Sequence, residues 1–280
     1  MEVKAYAKIN LTLDVIRKRE DGYHEMDMIM TPISLYDTLD VEVADQDTFS
    51  SNVEGLRFDE NNTIYRAVSL MREHYQIAEH FCITLDKRIP MQAGLAGGSA
   101  DGAAMLIAIN HLCNLQLSEQ ELVRIGVKIG ADVPFCLLNR LSRVQGIGEK
   151  IHPISSQLNK HILLVKPQSG VSTKEAFQNI DFKVCEHPNV SLVEKMLTQN
   201  DEQFVKHLGN TLQQPAIKLN KDIADVRKAM QQFPFDCVLM SGSGSCVFAL
   251  SDDIDLIVEA KRHLKNTYDF VESCSMVKNS

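Results

Sequence analysis

No stretch of this sequence stays apolar for long. The longest uninterrupted run, AAMLIAI, covers about a third of a bilayer span, which excludes a transmembrane helix. The opening residues MEVKAYAKIN are charged and lack the apolar core of a signal peptide, so a cytoplasmic protein with no membrane partner is expected. No C-x-x-C pair occurs among Cys82, Cys113, Cys136, Cys185, Cys237, Cys246 and Cys274, and their number is odd. That spacing fits neither a disulfide framework nor a zinc site, and reduced, mostly buried thiols are expected. Positive charge is short as well. With 29 Lys and Arg against 37 Asp and Glu, the formal charge is −8, and a general nucleic-acid binder, which holds phosphate backbones by excess cations, is excluded. Internal repeats and low-complexity tracts are absent, as are a Walker A loop and a G-x-G-x-x-G dinucleotide fingerprint.

What is present is an ordinary globular composition, 44% hydrophobic and 24% charged, in 280 residues, enough for one large domain or two of common size. Residues 3–15 alternate strictly. Val3, Ala5, Ala7, Ile9, Leu11, Leu13 and Val15 read as the core face of a strand, and Lys4, Tyr6, Lys8, Asn10, Thr12 and Asp14 as its polar face. A charged turn at Asp21-Gly22 follows, then helical spacing over 62–75 and a strand over 81–90 ended by Pro90. The spacing predicts helices over 100–113 and from Ser118, where Ser118 and Glu121 form a capping box and Gly130 suits the C′ position. Pro134 is expected to hold Val133 extended, outside any helix. The polar segment 155–161 marks a domain boundary, giving domains 1–154 and 155–280. Beyond it come a strand at ILLVKP, helices over 191–199, 201–212 and 221–232, and a strand–turn–strand in CVLMSGSGSCVFAL. Strands and helices alternate irregularly, so the class is α+β.

The chemistry concentrates in PMQAGLAGGSADGAAM, residues 90–105. Glycines let a backbone approach a ligand closely, and a helix N-terminus presents unpaired N–H groups with partial positive charge; together they cradle an anion without a lysine. Read alone, the stretch serves equally as a tight structural turn. The second small-residue turn at 241–244, Lys8 and Asn10 on one strand face, and Asp132 in Gly-Ala-Asp favour the phosphate site.

AKINLTLDV, DGYHE, PMQAGLAGGSADGAA, GADVPFC and MSGSGSCVFAL stand in the order and spacing of the GHMP small-molecule kinases, and the resemblance covers nearly the whole chain. It implies a two-domain α+β fold with the active site in the cleft between domains, ATP as cofactor, Mg²⁺ alongside it, and a small-molecule acceptor carrying a cytidyl diphosphate. Carried over by position, Pro90, Gly94, Leu95, Ala96, Gly97, Gly98 and Ser99 would wrap the ATP phosphates, with the Ser99 hydroxyl on a phosphate oxygen or Mg²⁺. Asp132 would be the catalytic aspartate and Lys8 its partner. Asn10, Tyr23, His24 and Phe177 would line the acceptor pocket, the Phe177 ring against cytosine, and Gly242, Ser243 and Gly244 would shape its floor. Two rivals remain: a GHMP kinase for mevalonate, phosphomevalonate or homoserine, and an inactive nucleotide-binding relative. Ala96 stands where the family commonly has glycine, so it takes a negative φ or carries strain. NRLSRVQGIGE, with Arg140 and Arg143, departs furthest from the pattern.

Overall fold

The computed structural model describes residues 1–277. It divides into two compact units, each assembled from separate stretches of chain: Met1–Ala7, Leu35–Ile89 and Ala96–Asn139 form the first, and Lys8–Ser34, Pro90–Leu95 and Arg140–Ser280 the second. The two longest strands, β1 (Glu2–Lys18) and β2 (His24–Ala44), run through both.

In the first unit the distal half of β2 is extended by β3 (Thr48–Ser51) and, past helix α1 (Thr63–Tyr75), by β4 (His80–Asp86). β2 and β4 pair antiparallel from Thr38↔Asp86 to Ala44↔His80, and β3 lies parallel on the outer side of β4. Helices α2 (Gly97–Leu112), α3 (Glu119–Ile129) and α4 (Val133–Leu138) complete the unit. α2 is buried almost all round, from Ala100 to Ile109, as suits a helix without a polar face. Its Gly102 lies so near α1 that a Cβ there would be 3.0 Å from that of Thr63. Leu39, Val41, Ile64, Val68, Met71, Phe81 and Ile83 form the core that α1 and α2 close over. Ser118 and Glu121 make the expected capping box, while Gly130 leaves α3 extended at φ −175° rather than left-handed. Pro134 does not exclude a helix. It occupies the first turn of α4, where a missing N–H costs no helical bond.

In the second unit the first half of β2 pairs with β5 (Ser142–Gly146), from Met26↔Gly146 to Met30↔Ser142, and β5 with β6 (Lys150–Pro153). Next come β7 (His161–Lys166), α5 (Thr173–Gln178), α6 (Val190–Thr198), α7 (Gln213–Leu219) and α8 (Asp222–Met230). Strands β8 (Cys237–Met240) and β9 (Val247–Ser251), helix α9 (Ile254–Leu264) and strand β10 (Phe270–Ser275) follow. An all-antiparallel sheet runs in the order β10-β7-β9-β8. The helix expected over 201–212 is only a 3₁₀ segment, Glu202–His207. Its remainder is claimed by β1: Leu13 N donates to Gly209 O at 2.9 Å and Thr211 N to Leu13 O at 3.0 Å.

β1 itself departs from its alternating pattern. Lys8, Asn10 and Thr12, on the face expected to be exposed, are as buried as Ile9 and Leu11. All seven cysteines are free, but only Cys246 is fully buried and Cys82 is exposed, so the thiols are less enclosed than expected.

Candidate active site

The glycine-rich loop is built in two halves, one in each unit. Its first half is stitched to the turn between β8 and β9: Ser245 N donates to Gln92 O at 3.3 Å and Cys246 N to Ala93 O at 3.2 Å. Gly94 sits at φ +71°, and a Cβ there would fall 2.1 Å from Ser241 O, so no other residue fits. Its carbonyl accepts from Lys8 Nζ at 2.8 Å and from Ser241 Oγ at 3.0 Å. Lys8 Nζ also donates to Asn10 Oδ1 at 2.8 Å. Gly242, at φ +54°, closes over that ammonium; a Cβ there would stand 3.2 Å from Lys8 Nζ. In this unit, then, Lys8, Asn10, Gly94 and the 241–244 turn come together.

The second half of the loop starts α2. Ala96 takes the left-handed conformation, φ 58° and ψ 26°, the strained alternative for a residue with a Cβ. It offers no side-chain cap, and the first helical bond is Ala100 N to Ala96 O at 2.9 Å. The N–H groups of Gly97, Gly98 and Ser99 therefore lie outside the helix's own ladder, the arrangement that receives anions. Thr63 Oγ1 donates to Gly98 O at 2.5 Å and holds the turn from below. The Cβ position of Gly98 is open: beyond its own helix, the nearest atom of the described residues is Thr63 Oγ1, at 3.9 Å. Gly130, two residues before Asp132, lies against Ser99; its Cβ would be 3.8 Å from Ser99 Oγ. Asp132 is the N-cap residue of α4 and makes no capping bond to it.

A charged cluster lies beneath the helix start. Lys87 Nζ donates to Asp37 Oδ2 at 2.5 Å and Asp101 Oδ2 at 2.7 Å, and Asp37 Oδ1 accepts the N–H groups of Arg88 at 2.5 Å and Ile89 at 2.7 Å. Gly97 seals it, since a Cβ there would stand 2.8 Å from Ile89 Cγ2 and 2.9 Å from Lys87 Nζ. Asp101 Oδ1 is buried without a partner, and burial pushes this carboxyl up to about 7 against the pull of Lys87.

In the second unit the His24 ring lies 4.9 Å from the Phe177 ring, tilted by 34°, and 6.4 Å from that of Phe182, nearly parallel. Burial, and then Lys18, push the His24 imidazole down from its ordinary value, which favours the neutral ring with its one donor and one acceptor. Tyr23 is 61% exposed, so the ring that meets Phe177 is that of His24. Ser243 Oγ is 2.9 Å from Thr173 Oγ1.

The GHMP kinase N-terminal domain model matches residues 62–140, and the GHMP kinase C-terminal model matches residues 181–269. A relative from Clostridium beijerinckii, named 4-diphosphocytidyl-2-C-methyl-D-erythritol kinase, is 42% identical over 91% of this chain and 92% of its own. A relative of the same name from Clostridium acetobutylicum is 40% identical over 97% and 98%. The chain belongs to the GHMP kinases. A crystal structure of a 4-(cytidine 5'-diphospho)-2C-methyl-D-erythritol kinase aligns over all of both chains with a TM-score of 0.85 and 31% identity. A structure of the L. major mevalonate kinase in complex with R-mevalonate reaches a TM-score of 0.77 at 15% identity over 100% and 97% of the chains, a likeness of fold alone.

Several neighbours of these residues in this GHMP kinase were not singled out by sequence reasoning: Asp37, Lys87, Asp101, Phe182 and Asn210. Asp101 had a visible signal, as the one charge in an alanine-rich helix start. The others had none, because their partners are remote in sequence. Arg143, in the divergent segment, is fully engaged. It clasps Asp27 through Nε at 2.8 Å and Nη2 at 2.5 Å, and reaches Glu194 through Nη1 at 2.6 Å. Among the described residues no three His, Cys, Asp or Glu side chains form a metal cage. Mg²⁺ beside a nucleotide draws most of its oxygens from phosphates and water, so a site for it does not need a cage of protein carboxylates. No helix among the described residues is long and apolar enough to cross a membrane.

Proposed function

We propose that this GHMP kinase transfers the γ-phosphoryl group of ATP to the 2-hydroxyl of 4-diphosphocytidyl-2-C-methyl-D-erythritol, a step of non-mevalonate isoprenoid precursor synthesis. The observation that carries the acceptor is the match, at about 40% identity over nearly the full chain, to relatives bearing that name. Supporting it, the His24–Phe177 pair offers a stacking surface and a neutral hydrogen-bonding ring, which a base-free acceptor such as mevalonate or homoserine does not use.

Phosphoryl transfer passes through a loose transition state, so positioning and charge neutralisation do most of the work. In this reading the N–H groups at the start of α2 and the Ser99 hydroxyl would hold the phosphates, and Ser99 would help hold Mg²⁺, which would supply charge neutralisation for them. Asp132 takes the proton of the attacking hydroxyl as the new P–O bond forms and the bond to ADP breaks. Lys8 supplies positive charge for the transferred group, and Asn10, Tyr23, His24, Phe177 and Gly242–Gly244 form the acceptor side.

The test is ADP release measured against a panel of acceptor alcohols, with CDP as competitor. The cytidyl acceptor is expected to turn over fastest, and CDP to compete with it and not with ATP. More efficient phosphorylation of mevalonate, phosphomevalonate or homoserine overturns the acceptor assignment, and absence of any ATP turnover overturns the kinase reading.

A further inference from the structure

Gly242 is the point of the 241–244 turn that lies over Lys8. A Cβ on it would stand 3.0 Å from Gly94 O, 3.2 Å from Lys8 Nζ and 3.3 Å from Asn10 Oδ1. A shift of this peptide by a few tenths of an ångström would thus either crowd the ammonium or open space around it. What holds the turn lies outside it. Asn210, only 3% exposed, sits on the Gly209–Thr211 segment that pairs with Leu13 of β1. Its Nδ2 donates to Met240 O at 2.8 Å and to Gly242 O at 2.8 Å, while its Oδ1 accepts Leu212 N at 2.9 Å.

This amide grips the turn at two carbonyls, one on each side of Ser241. From Ser241 the bonds continue to the ammonium: Oγ donates to Gly94 O at 3.0 Å and accepts Asn10 N at 3.4 Å, and Gly94 O accepts Lys8 Nζ at 2.8 Å. The chemistry demands asparagine. Two donors and one acceptor must come from one short neutral group; aspartate would turn an oxygen against two carbonyls, and an apolar side chain would leave three buried backbone groups unpaired.

We propose that Asn210 is a positioning residue for Lys8, fixing the 241–244 turn and through it the place of the ammonium in the phosphoryl-transfer site. The inference rests on the proposed role of Lys8. A side chain that acts by placing another leaves substrate affinities alone and acts only while its client is present.

Two measurements test this. The first needs no substrate: ¹⁵N NMR of the lysine ammonium groups, with Lys8 assigned by the signal lost in Lys8→Ala and Lys87 as the internal control. Asn210→Ala is expected to shift or broaden the Lys8 signal and leave that of Lys87 in place; an unmoved Lys8 signal overturns the proposal. The second is a kinetic cycle. Asn210→Ala should lower kcat by about 10- to 100-fold, with KM for ATP and for the cytidyl acceptor changed by less than about threefold, and should change kcat little once Lys8 is alanine. An equal loss in both backgrounds is the mark of a general structural effect and overturns it. If Asn210→Ala does not fold, Ser241→Ala, which removes only the relaying hydroxyl, is carried through both measurements with the same expected outcomes. A wild-type protein that phosphorylates no acceptor sinks the proposed function, while the NMR measurement still decides whether Asn210 places Lys8.

Discussion

Asp132 opens α4 and makes no capping bond to it, and asparagine matches it in size and shape. Asp132→Asn is therefore expected to keep the fold and the affinity for ATP, and to lower kcat by roughly 10²- to 10⁴-fold. Calorimetric ATP binding beside an ADP-release assay checks this, and near-normal turnover would remove Asp132 from the chemistry. On the acceptor side the ring pair sets the expectation. His24 and Phe177 lie 4.9 Å apart, and an aromatic platform contributes about 1–3 kcal/mol to holding a base. Phe177→Ala is accordingly expected to raise KM for the cytidyl acceptor by about 5- to 150-fold and to leave KM for ATP nearly unchanged. His24→Ala should in addition narrow the preference for cytidine over uridine analogues, read from competition by CDP and UDP.

At the scale of the element, the first turn of α2 contains two adjacent glycines with opposite surroundings. Gly98 faces open space, so Gly98→Val is expected to fold normally and to lose affinity for ATP, because the new side chain fills the room above the N–H groups. Gly97 faces Ile89 and Lys87 below 3 Å, so Gly97→Val is expected to lower the melting temperature before any binding is measured. Thermal unfolding and nucleotide titration of both variants check the contrast; equal behaviour would mean that the two glycines share one role. The same elements show how far the sequence alone could be read. α1 was legible from its period, and α3 from its period and its cap at Ser118, signals contained within a few residues. The glycine-rich turn before α2 was legible because its glycines lie side by side. The burial of Lys8 and Asn10 was not, since alternation marks two faces of a strand and says nothing of what covers the second. Nor was the break of 201–212, where helical spacing yields to a bridge with Leu13. Asp37, Lys87 and Asn210 became visible only once the fold brought remote partners to them.

At the scale of the whole molecule, two carboxylates impose opposite pH dependences on stability. Asp47 is held at about 2 by its hydrogen bonds from Arg72, with the Phe81 N–H assisting against burial. Its folded-state value lies below the unfolded one, so its contribution is present above about pH 4 and is lost as pH falls towards 2. Asp101 is displaced the other way, to about 7, so its contribution is fullest below about pH 4 and fades as pH rises towards 7. Denaturant unfolding across this range checks both signs. The deficit of Asp47→Asn relative to the natural protein should close as pH falls to 2, whereas Asp101→Asn should gain on it between pH 4 and 7 and run parallel above. Trends of the reverse sign would show that the two carboxylates sit in other surroundings.

The strand bearing Lys8 and Asn10 draws its partners from far along the chain. The bonds of Lys8 to Gly94, Thr12 to Gly209 and Asn10 to Ser241 span 86, 197 and 231 residues. A ribosome that has made β1 has made almost none of what encloses it, and a buried lysine on a strand cannot settle until its acceptors exist. The half of the loop that starts α2, by contrast, joins neighbours that are all synthesised by residue 139. Nascent chains should acquire an ordered first unit well before the ammonium finds its seat, and the surroundings of Lys8 are then among the last features of the protein to form during its synthesis.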